Sequence, residues 1–405
     1  MTRKPIEKKE TFVIDKTLLA ILIVFLITSL LGIYASAPHI GGSSTRYVIM
    51  QSVFYVISFS ALLFICYWGL DRFFAITKIL YWILLFMMVL LLVDKYGIFQ
   101  VPFVNPVNHT WAWYQFPGFS FQPSEFMKII LVMLTAMTIN THNLEKEQNS
   151  FGEDIRLFIK VGSYTLPVLV LNFLQPDTGV PLIMVVSIMI MLLTSGIKRQ
   201  WFILLAVFGI IGYFGIIYVY NNHVDWLLNM FGPSYRLDRF YAWLDYEKYR
   251  QGVGFQLYNA IVSLGSAGFS GIGLDGSIIY IPAAHTDFIF AVIGSTFGFI
   301  GSVFVIVLCF LLDVKLILIA LRSQNNIGRY ALIGIVGIFV FQQIQNIGMM
   351  IGLLPITGIT LPLISYGGSS LLSYMVGLSF AFALSSETAN NPNYEDQQVP
   401  LKELK

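Results

Sequence analysis

Apolar stretches long enough to cross a bilayer recur along this chain, and they limit what it can fold into. A hydrocarbon core is crossed by roughly 20 apolar residues in helix. Candidate spans fall near 17–35, 47–68, 76–93, 125–140, 158–174, 179–196, 201–220, 287–312, 330–351 and 370–386, with the span from Glu125 the least apolar. Composition agrees, because 57% of the residues are hydrophobic and only 11% are charged. A soluble domain carries roughly 25% charged residues. The mean hydropathy is +0.75. The sequence therefore predicts an all-α integral membrane protein with about ten transmembrane helices. Ala35-Ser36-Ala37 imitates a signal-peptidase site, but the preceding run is too long for a typical signal and further spans follow. It is read as an uncleaved first helix.

Lysine and arginine set the expected orientation, since they collect in inner loops. With the N-terminus inside, the inner segments hold Arg3, Lys4, Lys8, Lys9 and Lys16, then Arg72 and Lys78, then Lys146 and Arg156. Lys198, Arg199, Lys315, Arg322, Arg329, Lys402 and Lys405 follow on the same side. The short outer loops carry only Arg46 and Lys95. An N-in, C-in arrangement is expected. Arg236, Arg239, Lys248 and Arg250 fall in one long outer loop, and long loops translocate largely regardless of charge.

The expected organisation is an inner tail at 1–16, a membrane domain at 17–386 and an inner tail at 387–405. The outer loop, about 221–286, is the one large segment outside the spans. Loops this long are functional or disordered. Tyr235 to Leu257 is rich in aromatics at helical spacing, which suggests a helix lying on the membrane. The glycine-rich stretch Ser263 to Gly276 then leads into Ile278-Ile279-Tyr280-Ile281-Pro282, expected to fold back toward the bundle.

Ionisable groups inside or beside spans are the next signal, because each costs at least ~2.5–3.5 kcal/mol at mid-bilayer. Glu125 and Lys128 share a helix face. They form either an internal ion pair that lets the span insert or the charged wall of an outward cavity. Ser124 is placed to cap that helix. Asp177 sits before the sixth span as a cap and as one of few outer acids. Asp287, in His285-Thr286-Asp287-Phe288-Ile289-Phe290, opens the eighth span. It is either a helix cap favoured by the dipole or a general base at the lip of a cavity. Arg236 and Arg239 could share a helix face and suit a phosphate, or they snorkel beside nearby acids. Gly352 to Gly358 and Ser365 to Ser370 cannot continue a helix cleanly. Irregular backbone at membrane depth belongs where it is buried or lines a cavity.

Other classes lack support. The net charge of +2 does not suggest nucleic acid. Cys66 and Cys309 lie in apolar runs, and the histidines at 39, 109, 142, 223 and 285 are scattered. The sequence has no P-loop and no GxSxG elbow.

Four motifs in order resemble the SEDS family, the polytopic glycan polymerases typified by RodA and FtsW. They are Phe121 to Lys128 (FQPSEFMK), Gln175 to Gly179 (QPDTG), Ala284 to Val292 (AHTDFIFAV) and Gln345 to Ser370 (QNIGMMIGLLPITGITLPLISYGGSS). The resemblance spans almost the whole chain, and FQPSEFMK and LPITGI look more like the RodA branch. It implies peptidoglycan glycosyltransfer in the bacterial plasma membrane with the active site outside. The substrate would be lipid II, a disaccharide-pentapeptide on undecaprenyl pyrophosphate. An acceptor 4-hydroxyl would attack the donor's anomeric carbon, and polyprenyl pyrophosphate would leave. The resemblance makes Asp287 the essential carboxylate, expected to act as general base. Trp113 aligns with a family tryptophan suited to a sugar face, with Trp111 two residues away. Glu125, Lys128 and Asp177 fall on polar cavity positions. Arg239 is the choice for the pyrophosphate. His285, Thr286, Ser365, Gly367, Gly368 and Ser369 complete the expected substrate-binding set. A class B penicillin-binding transpeptidase is the implied partner, alongside membrane lipid. No cofactor is indicated, and a divalent cation stays open.

The chain departs from the pattern in four places. Ser295-Thr296 stand where the family commonly has two glutamates. Gly265-Ser266-Ala267-Gly268 replaces Gly-Ser-Gly-Gly. Tyr246 stands where a proline is expected. Thr110 to Ala112 replaces a basic pair. Three rivals remain: a lipid II flippase, a non-catalytic scaffold for a transpeptidase, and a division rather than elongation polymerase. Polar groups clustered on the outer half disfavour the flippase, and an intact Asp287 disfavours the scaffold.

Overall fold

The computed structural model describes residues 12–40, 44–106, 110–222, 239, 242–274, 276 and 279–390. Arg236, His109, His223 and most of both expected tails lie outside the described residues. The helices are α1 (Lys16–Ala35), α2 (Ala37–Ile40), α3 (Ser44–Trp68), α4 (Leu70–Lys95), α5 (Pro123–Glu145) and α6 (Phe151–Leu174). They continue with α7 (Gly179–Thr194), α8 (Gln200–Asn222), α9 (Phe255–Ser266), α10 (Ile289–Arg322), α11 (Asn326–Met350) and α12 (Gly368–Asn390). Strands β1 (Tyr114–Phe116) and β2 (Phe119–Phe121) form an antiparallel hairpin before α5.

A helix stands at each expected span. Eight are long and apolar enough to cross a bilayer, namely α1, α3, α4, α5, α6, α10, α11 and α12. At the remaining two positions, α7 and the Gln200–Gly212 part of α8 are apolar but shorter. Several helices outrun the expected bounds: α6 starts at Phe151, and α10 reaches Arg322. The first turns of α6 hold Glu153, Asp154 and Arg156, and Asp313 and Lys315 interrupt the apolar run of α10, so an apolar window closes early at both. Of the surface helix expected over Tyr235 to Leu257, the described residues Arg239 and Ala242 to Leu244 are helical, turns follow over 245–254, and a separate helix, α9, begins at Phe255. Leu257, Ala260 and Ser263 of α9 are buried on one face, and Leu264 packs at Gly294 of α10. The following loop does fold back, with Ile281 fully buried and its N–H donated to His39 Nδ1 at 3.0 Å.

Local chemistry sets the helix ends. Asp15 caps α1 by accepting from Leu18 N at 3.0 Å. The same carboxylate pairs with Lys315 of α10 at 2.7 Å and accepts from Ser385 of α12 at 2.8 Å. One residue thus joins three helices at the end of the bundle where α1 begins and α12 ends, called here the tail end. Ser150 caps α6 and Asn325 caps α11 in the same manner. Ser124 does not cap α5. The helix starts one residue earlier at Pro123, and Ser124 Oγ is buried with no partner.

The central helices are α5, α12 and α11, whose apolar windows are 72%, 67% and 61% buried, against 28% for α3 and for α6. They carry most of FQPSEFMK and both ends of the Gln345–Ser370 run, so those motifs face protein and not lipid. Helix α10 breaks at Gly298, where φ is 66° and ψ is −157°. The break frees backbone groups, and the glycine-rich loop after α9 satisfies them. Ile272 N and Gly273 N donate to the carbonyls of Ser295 and Thr296 at 3.0 Å, while Phe299 N and Ile300 N donate to Gly268 and Phe269. No side chain fits between the strands of this exchange: a Cβ on Gly271 would lie 2.2 Å from Thr296 O.

Gly271→Ala is expected to destabilise the protein by about 1–3 kcal/mol, read as a lower midpoint of thermal unfolding in detergent. Gly265→Ala is the control. It lies in α9 with open space where a Cβ would be, so it should be neutral or slightly stabilising.

Candidate functional site

A cavity of about 1120 Å³ opens at the end of the bundle opposite the tails. Helices α3, α5, α7 and α12 supply its sides, the β1–β2 hairpin covers one wall, and the irregular segments around Thr286 and Thr357 to Thr360 form another. Ser369, at the start of α12, ties the hairpin down. Its Oγ donates to Ser120 O and accepts from Gln122 N at 3.2 Å. Trp113 lines the cavity beside Phe116 and Phe119. Trp111 does not line it and lies against Lys95, whose Nζ is 6.0 Å from the indole.

Among the described residues, three carboxylates reach the cavity: Glu125, Asp177 and Asp287. Asp177 does act as a cap in part, since its Oδ1 accepts from Gly179 N at 3.1 Å and Val180 N at 3.3 Å. Its Oδ2 accepts from Gln122 Nε2 at 3.1 Å. Burial, reinforced by Glu125, pushes the Asp177 carboxyl up to about 6, although the two N–H bonds and Arg239 act against it.

Asp287 is not a cap. Helix α10 begins two residues later, and its N-cap, Phe288, makes no side-chain capping bond. Instead the Asp287 carboxylate faces Arg239 across Gly358. A Cβ on Gly358 would stand 3.3 Å from Arg239 Nη2 and 3.4 Å from Asp287 Oδ2. Gly358 has φ +73°, so glycine is required there both for conformation and for space. Enclosure by protein pushes the Asp287 carboxyl up to about 6, with Arg239 opposing part of that rise. Thr286 also lines the cavity and donates from its Oγ1 to Ala283 O at 3.0 Å.

Glu125 and Lys128 do pair, at 2.6 Å, and they divide the two expected roles between them. Glu125 reaches the cavity. The Lys128 side chain is 0% exposed and lies behind Glu125, with Nζ 4.3 Å from the Tyr374 ring. Ser373 donates to Glu125 Oε2 at 3.3 Å, and Gln342 donates to the Tyr374 hydroxyl at 2.8 Å.

The remaining expected residues split between wall and support. Gly367 and Gly368 line the cavity. Ser365 does not: it is buried, donates to Thr286 O at 2.7 Å and accepts from Leu361 N. His285 also stands behind the wall. Its ring packs against Tyr47 and Tyr366 at 4.9 and 5.6 Å, and burial holds its pKa below the ordinary value. Sequence reasoning missed Arg46, Tyr47, Gln122 and Tyr366, which line the cavity. It also missed the buried amides that hold the irregular segments. Gln51 donates to Ser365 O and accepts from Gly367 N, and Gln345 donates to Pro355 O. An amide inside an apolar span was the available signal. Among the described residues, no three His, Cys, Asp or Glu side chains converge as a metal cluster.

A family model described as cell cycle protein, FTSW_RODA_SPOVE, matches residues 10–390. Stage V sporulation protein E of Bacillus subtilis (strain 168) is 31% identical over 76% of this chain and 78% of its own length. The probable peptidoglycan glycosyltransferase FtsW of Haemophilus influenzae is 36% identical over 72% of this chain and 69% of its own. Two solved structures share the fold. One chain, from work on structural coordination of polymerization and crosslinking by a peptidoglycan synthase complex, superposes with a TM-score of 0.74 at 24% identity. That match covers 93% of this chain and 99% of the other. RodA of Thermus thermophilus gives 0.63 at 23% identity, covering 93% and 97%. With a family match over nearly its whole length and relatives above 30% identity across more than two thirds of it, this chain belongs to the FTSW_RODA_SPOVE family.

Proposed function

We propose that this chain is a peptidoglycan glycosyltransferase of the bacterial plasma membrane that polymerises lipid II, with its cavity facing outside. The observation that supports this most is the Asp287 carboxylate facing the Arg239 guanidinium across bare Gly358 in the wall of a large cavity. Glycosyl transfer from a polyprenyl pyrophosphate needs both groups. The acceptor hydroxyl attacks the anomeric carbon and loses its proton to Asp287. The bond from that carbon to the pyrophosphate oxygen breaks, and a guanidinium suits the charge that develops there. Pyrophosphate leaves as a stable anion, so a cation serves where a weaker leaving group would need an acid. Trp113 offers a flat face to a sugar ring. A divalent cation at the pyrophosphate has no ready-made cluster among the described residues.

The flippase reading has less support. A second cavity, of about 480 Å³, lies at the tail end beside His142 and Glu153, and it shares no lining residue with the first. Between them the bundle is filled by buried residues such as Met133, Met184 and Met191. A class B penicillin-binding transpeptidase is the proposed partner, in keeping with the solved relative from a peptidoglycan synthase complex. An elongation role is proposed on FQPSEFMK and LPITGI.

The test is polymerisation of lipid II by the purified protein with its cognate transpeptidase, with moenomycin present to silence classical polymerases. Wild type should make strands, and Asp287→Ala and Asp287→Asn should lose at least ~10² in rate. Strands from all three would remove Asp287 as the base. No strands from any, with lipid II scrambled between leaflets, would favour the flippase.

The base must be ionised, so activity should fall as pH drops through about 6 and not near the ordinary carboxylate value of 3.8. Arg239 favours the ionised form. Arg239→Gln should therefore move that acidic limb to higher pH, as read from kcat/KM against pH.

Lys128→Met leaves Glu125 as an uncompensated charge. Breaking a buried pair this way costs about 3–5 kcal/mol, so unfolding in detergent should shift strongly. Glu125→Gln with Lys128→Met together should recover much of the loss.

A further inference from the structure

We propose that Asn346 is a positioning residue that fixes the Asp287 carboxylate against its neighbours, a proposal that rests on the reading of Asp287 as the base. Asn346 lies just over one turn before the end of α11 and is fully buried. Its Nδ2 donates to Asp287 O at 2.8 Å and to Ile359 O at 2.7 Å. Each hydrogen of that nitrogen thus goes to a different irregular segment. One segment carries the candidate base. The other carries Gly358, the glycine over which that base faces Arg239. The amide's orientation follows from its partners, since two carbonyl oxygens can only face the donor end.

The helix hydrogen bonds do not supply this restraint. The first N–H groups of α10 turn back to Phe288 O, to which Ala291 and Val292 both donate, so Asp287 O is left to Asn346. Gln345, the preceding residue, donates to Pro355 O at 2.8 Å and anchors the far end of the glycine-bearing segment. The last turns of α11 therefore act as a ruler, holding residues 355–359 at two points and the base at one. The arrangement leaves Asn346 Oδ1 buried with no partner. A residue present only to fill space would carry no such unsatisfied acceptor. It is tolerated where the donor end has a task.

The consequence is a division between binding and turnover. Asn346 lies outside the cavity wall and touches no substrate, so KM should hold. Displacement of a reacting group by about 1 Å costs on the order of 10²-fold in rate, so kcat should fall. The experiment compares wild type, Asp287→Asn, Asn346→Leu and Asn346→Asp in the moenomycin-treated lipid II assay, with kcat expressed per folded molecule from thermal unfolding in detergent. Asn346→Asp keeps the volume closely, Asn346→Leu keeps the branched outline with more bulk, and both lose the twofold donor. The expected result is a tenfold to hundredfold lower kcat with KM within about twofold. If Asn346→Leu does not accumulate folded, Asn346→Asp decides alone. A kcat equal to wild type in the folded variants, with Asp287→Asn inert, overturns the role of Asn346 and leaves the base intact. A fall in stability with no fall in kcat per folded molecule also overturns it. Strands from Asp287→Asn remove the base and this proposal together. A wild type that makes none overturns the glycosyltransferase reading itself.

Discussion

Everything in this structure answers to one constraint: inside hydrocarbon, a backbone N–H or C=O must find its partner within the protein. Helices meet it along most of the chain. A catalytic cavity cannot be built from helices alone, because side chains from several directions must converge. This chain therefore brings irregular backbone to one end of the bundle and satisfies it by exchange. The break in α10 is paired, group by group, with the loop after α9. The turn around Thr286 is held by Ser365 and Tyr366. The segment after α11 is held by Gln345 and Asn346. Buried amides and hydroxyls do for the cavity what the helical ladder does for the rest.

That division explains what the sequence disclosed. The spans were legible because apolar length is a property of contiguous residues. Helix ends were less so, since α6 begins among charged residues and α10 runs on past Asp313 and Lys315, where a hydropathy window closes. The loop helix read as one segment because its aromatic-rich approach has helical spacing of its own, whereas turns over 245–254 separate that approach from α9. Leu257 and Ala260 of α9 are buried and Leu264 packs at Gly294 of α10, a tertiary contact that local spacing does not reveal.

The site was legible in kind and less so in arrangement. Charged and polar residues in apolar surroundings marked Glu125, Asp177 and Asp287, and all three reach one cavity. What the sequence left open was which member of a group faces inward. Lys128 and Glu125 share a helix face, yet the lysine is covered by Tyr374 and only the glutamate meets the cavity. His285 and Thr286 are adjacent, yet only the threonine lines it. Arg46 escaped notice because a lone arginine in a short loop looks like an orientation signal. Its value depends on a cavity wall that the first part of the chain does not show.

The departures from the family pattern bear on this same logic. Ser295 and Thr296 stand where the resemblance leads one to expect two glutamates, and the structure uses their carbonyls as acceptors for Ile272 and Gly273. Ser295 Oγ turns back to Val292 O within its own helix. Ala267, in place of a glycine, likewise acts through its backbone, receiving the N–H of Gly271. Buried glutamates at 295 and 296 would each need a cation or several donors, and the N–H groups of Ile272 and Gly273 are already given to carbonyls. A short hydroxyl that bonds locally carries no such requirement. The chain thus keeps the backbone exchange that closes the break in α10 and dispenses with charge there. The Asp287 turn, the glycine at 358 and the amides of α11 retain the form that the family motifs specify.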